Sequence, residues 1–96
     1  MAILRTVRFT TAPEQAAAMQ TARTALIAAT RERFDGLTAT RLTRLEDGTW
    51  IDHWRWESAA HMQSALDNAA SIPGAGEAFA LIADPQPEVA EIVDEV

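Results

Sequence analysis

The stretch Asp47-Gly48-Thr49-Trp50-Ile51-Asp52-His53-Trp54-Arg55-Trp56-Glu57-Ser58 carries three structural signals in succession. Asp47-Gly48 is a hairpin turn pair, because glycine takes the positive backbone angle that tight hairpins need. Thr49 to Trp56 is rich in tryptophan, isoleucine and threonine and reads as a strand. Ser58 then stands where a helix begins, its hydroxyl able to accept from a first-turn N–H. Side chains alternate along a strand. Trp50, Asp52, Trp54 and Trp56 therefore share one side, and Ile51, His53 and Arg55 the other.

Upstream, Leu37 to Leu45 alternates as well and supplies the antiparallel partner strand. Asp35-Gly36 ends a long alanine-rich helix that reaches about Phe34. The helix opens at Thr10-Thr11-Ala12-Pro13-Glu14, where Thr11 and Glu14 have capping-box spacing and Pro13 sits in the first turn. Ile3 to Phe9 reads as a first strand. Downstream, Met62, Ala65, Leu66 and Ala69 mark the buried stripe of a second helix. Pro73-Gly74-Ala75-Gly76 breaks it, and Glu77 to Ala83 makes a short extra helix. Asp84-Pro85-Gln86-Pro87 reads as a turn and Glu88 to Val96 as a last strand.

The expected fold is one α+β domain over residues 1–96, a ferredoxin-like βαββαβ sheet. Its helices cover one face and leave the other open. Each tryptophan buries on the order of 150–250 Å². If the tryptophan side faces away from the helices, it must meet a second sheet. The expectation is then a homodimer, a dimeric α/β barrel with a mostly apolar interior.

Composition narrows the function. The chain has 96 residues and a formal charge of −6, with no cysteine. An acidic chain is a poor phosphate binder, so no nucleic-acid partner is expected. Disulfides and thiolate metal sites are excluded. No apolar run is long enough to span a bilayer, and residues 1–8 lack a signal-peptide core. No membrane partner and a cytoplasmic location are expected. Residues 1–55 hold eight arginines against six acids, and residues 56–96 hold eight acids and no cation. This asymmetry is either a solvated acidic face or two opposite-signed surfaces that meet across a subunit interface.

The tryptophan row is either the core of an interface or the wall of a ligand cavity with Asp52 as its polar group. Desolvation would raise the Asp52 pKa and make it a candidate base, whereas pairing with Arg5, Arg8 or Arg41 would make it structural. His53 reads as a hydrogen-bonded structural residue under the helices or near the hairpin end, and His61 as a first-turn residue. Two histidines eight residues apart, with no third ligand, do not make a metal site. Gly74-Ala75-Gly76 follows a helix and is no phosphate loop. No cofactor is expected from these patterns.

The element order, the length, Asp47-Gly48-Thr49, and Trp56-Glu57-Ser58 closing a strand and entering the helix that carries Leu66 resemble the antibiotic biosynthesis monooxygenase superfamily. The resemblance implies the dimeric barrel. It also implies a cofactor-independent monooxygenase that oxidises an aromatic, polyketide-like phenolic substrate with dioxygen. In the quinone-forming members a tryptophan at the place of Trp56 lines the cavity. Asp52 stands where those members have an asparagine, Met62 where they have a tyrosine, and no arginine follows Arg55. The tryptophan and histidine of haem-degrading members fall near Ala65 and Ala75, so haem degradation is not implied. On this reading Asp52 and Trp56 are the catalytic candidates, and Trp50, Trp54 and Met62 line a small aromatic ligand. The alternative is a non-catalytic ligand-binding or stress-associated dimeric barrel, or a cyclase or isomerase on the same fold.

Overall fold

A computed structural model describes all residues, Met1–Val96. The chain runs β1 (Ile3–Thr10), α1 (Ala16–Arg33), β2 (Leu37–Arg44), β3 (Trp50–Trp56), α2 (Ala59–Asp67), α3 (Ala75–Ala80) and β4 (Ala83–Glu91). The four strands form one antiparallel sheet in the order β2-β3-β1-β4, with β3 and β1 at its centre. This is the expected ferredoxin-like α+β arrangement, with a third short helix.

The Asp-Gly hairpin forms as read. Gly48 has φ +91, and the Thr49 N–H donates to Asp47 Oδ1 at 2.9 Å. Ser58 caps α2 by accepting from the His61 N–H at 3.2 Å. Two boundaries differ from expectation. No side chain caps the start of α1. A 3₁₀ turn over Pro13–Gln15 precedes the helix, and the Thr11 hydroxyl donates instead to the Leu81 carbonyl at 2.7 Å. The last strand starts at Ala83 and runs through both Pro85 and Pro87, so the expected turn there is strand and the last five residues lie beyond it. The reason is position. β4 is an edge strand, whose outward N–H groups have no ladder partner, so proline can enter without losing a bond.

The larger correction concerns which face the tryptophans occupy. Trp56 is 2% exposed and packs with Ile3, Ile27, Leu37, Met62 and Ala65, with Phe34 and Trp54 against the cluster. Ile27 lies on α1 and Met62 and Ala65 on α2, so the tryptophan side faces the helices. Register carries the same side across the sheet. Ile3 is opposite Trp56, Arg5 opposite Trp54 and Val7 opposite Asp52. The open face therefore bears Leu4, Thr6, Arg8, Ile51, His53 and Arg55, with Arg41 and Thr43 from β2. His53 is on that open face, where its Nε2 is 3.0 Å from Thr43 Oγ1.

Gly36 joins α1 to β2 under two constraints. Its φ is +98, and a Cβ there would lie 2.6 Å from the His61 side chain. Gly48 has a similar φ with open space around it. Left-handed backbone costs an L-residue roughly 1–2 kcal/mol. Gly48→Ala is expected to lose about that much, and Gly36→Ala distinctly more, in paired urea denaturation curves. Equal losses would show that the His61 ring yields without cost.

Candidate functional site

A cavity of about 130 Å³ lies between the helix-facing side of the sheet and the three helices. β1 contributes Arg5, Val7 and Phe9. β3 contributes Asp52, Trp54 and Trp56, and α1 contributes Met19, Arg23, Leu26 and Thr30. Ala65, Leu66, Ile72, Ala75 and Phe79 close the remaining wall. Apart from Arg5, Arg23, Thr30 and Asp52, every lining residue is apolar. Leu66 and Phe79 are 36% and 54% exposed, so they mark the mouth. An apolar cavity of about 150 Å³ holds one benzene ring, so the enclosed part of this one accommodates roughly a single ring.

Asp52 is the only carboxylate on the lining. Its Oδ1 accepts two hydrogen bonds, from Arg23 Nε at 3.0 Å and from Trp54 Nε1 at 2.9 Å. Its Oδ2 takes no hydrogen bond from the protein. Burial pushes the Asp52 carboxyl above the ordinary carboxylate range. The Arg23 charge and hydrogen bond, then the Trp54 bond, pull the other way without cancelling it. Both alternatives open in the sequence thus hold together, since the carboxylate is paired and still raised. The partner is Arg23 rather than Arg5, Arg8 or Arg41. Arg23 lies four residues after Met19 and seven before Thr30, both buried on α1. That i, i+4 spacing was the available signal for it, and a charged residue within an apolar stripe is easily passed over as a surface group.

The structure brings Asp52, Trp54 and Trp56 together on the cavity wall. Trp54 and Trp56 have ring centroids 6.3 Å apart at 39°. Trp50 and Met62 do not line it. Trp50 stacks on Phe9 at 6.5 Å with the Arg44 guanidinium 5.1 Å from its ring. Met62 is a core residue beneath Trp56. His61 Nδ1 is 2.6 Å from Ser58 Oγ, which ties the ring to the start of α2. No three His, Cys, Asp or Glu side chains are grouped to hold a metal ion, and no helix is long and apolar enough to cross a membrane.

The fold is that of the antibiotic biosynthesis monooxygenases. SnoaB, a cofactor-independent oxygenase from Streptomyces nogalater, superposes in a variant form with a TM-score of 0.80 at 18% identity, over 99% of this chain and 96% of that one. Rv0793 from Mycobacterium tuberculosis gives 0.69 at 24% identity, over 99% and 98%. A proposed antibiotic biosynthesis monooxygenase from Bordetella bronchiseptica gives 0.78 at 17%, over 96% and 97%. At these identities the likeness is one of fold. No family model matches the sequence, and no curated protein matches it.

The hydrogen-bond geometry sets an order for perturbing Asp52. Trp54→Phe removes one donor to Oδ1, and Arg23→Gln removes a charge. Both are expected to raise the Asp52 pKa further, the arginine change more, in a carbon-13 carboxyl NMR titration. An unchanged value in Arg23→Gln would dissolve the pair as the controlling contact.

Proposed function

We propose that this chain is a small oxygenase that oxidises an aromatic phenolic, polyketide-like substrate with dioxygen and without a bound cofactor. One observation carries the reading. A carboxylate with a raised pKa and an unengaged oxygen stands beside two indoles in a cavity whose lining is apolar apart from Arg5, Arg23 and Thr30. The fold shared with a cofactor-independent oxygenase supports it.

The chemistry follows from that arrangement. Asp52 Oδ2 accepts a proton from the phenol or from an activated C–H. The Trp54 and Trp56 rings stack against the electron-rich anion, and the apolar walls keep water from quenching it. Dioxygen takes its electrons from the substrate. A ring CH₂ becomes C=O, one oxygen atom entering the product and the other leaving as water. The four electrons that reduce dioxygen come from that carbon, so no further reductant is required. One ring fits inside, and other rings extend past Leu66 and Phe79.

The base works only when ionised, so turnover should rise with pH through a pKa above the ordinary carboxylate range and be flat beyond it. Asp52→Asn should remove that limb and lower kcat by on the order of 10²-fold or more, measured as oxygen uptake with anthrone-like and hydroquinone-like compounds. Trp56→Phe should lower it as well. Uptake indifferent to both substitutions would sink the assignment. The Arg23–Asp52 pair favours the second reading, a binding barrel or a cyclase or isomerase, and that reading predicts quenching of tryptophan fluorescence by the ligand without oxygen uptake.

A homodimer in the cytoplasm belongs to the same proposal, now on different grounds. The tryptophans do not supply the interface. The open face does, with Leu4, Thr6, Thr43, Ile51 and His53 half-buried at its centre. Arg8, Arg55 and Arg41 lie on that face on β1, β3 and β2, while Glu88 is on β4 and Glu95 folds back to Arg55 at 2.6 Å. A two-fold axis would lay the acidic edge of one protomer on the cationic strands of its partner. Light scattering should give twice the monomer mass at micromolar concentration, and Ile51→Arg should give the monomer. A wild-type monomer would exclude the barrel.

A further inference from the structure

The cavity has a charge that the proton-abstraction reading does not use. Its only titratable lining groups are Arg5, Arg23 and Asp52, which leaves a net +1 inside a chain of net −6. Neither arginine is satisfied. Arg23 spends its Nε on Asp52, and its Nη2 is the one buried side-chain polar atom in the molecule without a hydrogen-bond partner. Arg5 projects from the centre of the sheet onto the cavity and makes no side-chain hydrogen bond at all. A buried donor such as Arg23 Nη2 is costly unless something accepts from it, and Arg5 beside it is a half-buried guanidinium with no acceptor from the protein. Asp52 serves neither of these donors, since both of its hydrogen bonds, from Arg23 Nε and Trp54 Nε1, fall on Oδ1 and no Arg5 nitrogen lies within 4.0 Å of the carboxylate.

We infer that Arg5 and Arg23 form an anion-recognition pair, and that the cavity selects ligands with a carboxylate on the aromatic ring it encloses. The guanidinium fork matches a carboxylate in two parallel hydrogen bonds. A monoanion brings the cavity to neutrality, and the apolar wall from Trp54 to Phe79 takes the ring. The inference names the substrate class of the proposed site and rests on that reading for turnover, but not for binding. In the full reaction the carboxylate anchors the substrate, so that the neighbouring phenol or C–H is presented to Asp52 Oδ2. Arg5 and Arg23 are thus binding residues, and the acid group is not altered.

Isothermal calorimetry with benzoate and its neutral isostere benzamide separates the two questions, because neither probe is turned over. Hydrogen bonds to charged groups predict that benzoate binds roughly 10- to 100-fold tighter at pH 7. The preference should shrink with added salt and collapse in Arg5→Met, which keeps the length and apolar stem of the side chain. Arg23→Lys, which keeps the charge beside Asp52 but loses the fork, should weaken benzoate and leave benzamide as it was. Circular dichroism confirms that each variant is folded. Equal binding of the two probes, or a benzoate preference that survives Arg5→Met, would overturn the inference and leave the oxygenase reading untouched. A benzoate preference without oxygen uptake on any phenolic acid would keep the anion pair and remove the oxygenase.

Discussion

A strand has two faces, and the register of β3 decides what each face of this sheet becomes. β3 lies between β2 and β1, so its residues pass their orientation to both neighbours through the antiparallel ladder. Trp56 is the anchor. With it buried against α1 and α2, Asp52 and Trp54 must also point towards the helices, and Arg5 and Val7 follow on β1. A slip of one residue would put His53 and Arg55 in the core and the three indoles in water. Burial of a large aromatic is worth several kcal/mol, so the sheet does not slip.

The same register forces an ionisable group inward. Asp52 is two residues from Trp54 and four from Trp56, and a strand offers no way to bury the indoles and leave the carboxylate out. The molecule answers from α1, which places Arg23 one turn beyond Met19 and within 3.0 Å of Asp52. The answer is incomplete. Arg23 keeps an unmatched donor, Arg5 keeps its whole guanidinium, and the space before them is unfilled because α2 and α3 line it with Ala65, Ala75, Ala78 and the partly exposed Leu66 and Phe79. A pocket with charge, a mouth and apolar walls is what remains when small residues line the helix side of a sheet whose strands carry polar ones.

The helix-free face has a different character. Its centre is half-buried, with Leu4, Thr6, Ile51 and His53, and its charges are sorted, arginine on β1, β2 and β3 and acid on β4 and the tail. The segregation of charge along the sequence thus reappears as a pattern across one surface. Arg55 shows the pattern locally. It binds Glu95 through two nitrogens and donates a third bond to Thr38. The Glu95 bond holds its pKa up, and that of Glu95 down, while both stay in solvent.

By itself the sequence determined the order of elements, the Asp-Gly hairpin, the Ser58 cap, the stop at Gly36 and the set of side chains that share a face with Trp56. Each of these is set by near neighbours, through backbone angles, capping spacing or strand alternation. It did not determine which side of the sheet that set would occupy, since β1 carries an arginine on each face and alternation has no absolute sign. Nor did it show that Pro85 and Pro87 sit within a strand, which depends on β4 being at the edge. Thr11 makes no cap and donates its hydroxyl to a carbonyl seventy residues away. Only the tertiary structure paired Arg23 with Asp52, left Trp50 and Met62 outside the cavity and turned Arg5 into it. Those relations join α1 to β3 and β1 to α3, and contacts between segments distant in the chain are decided by packing rather than by local pattern.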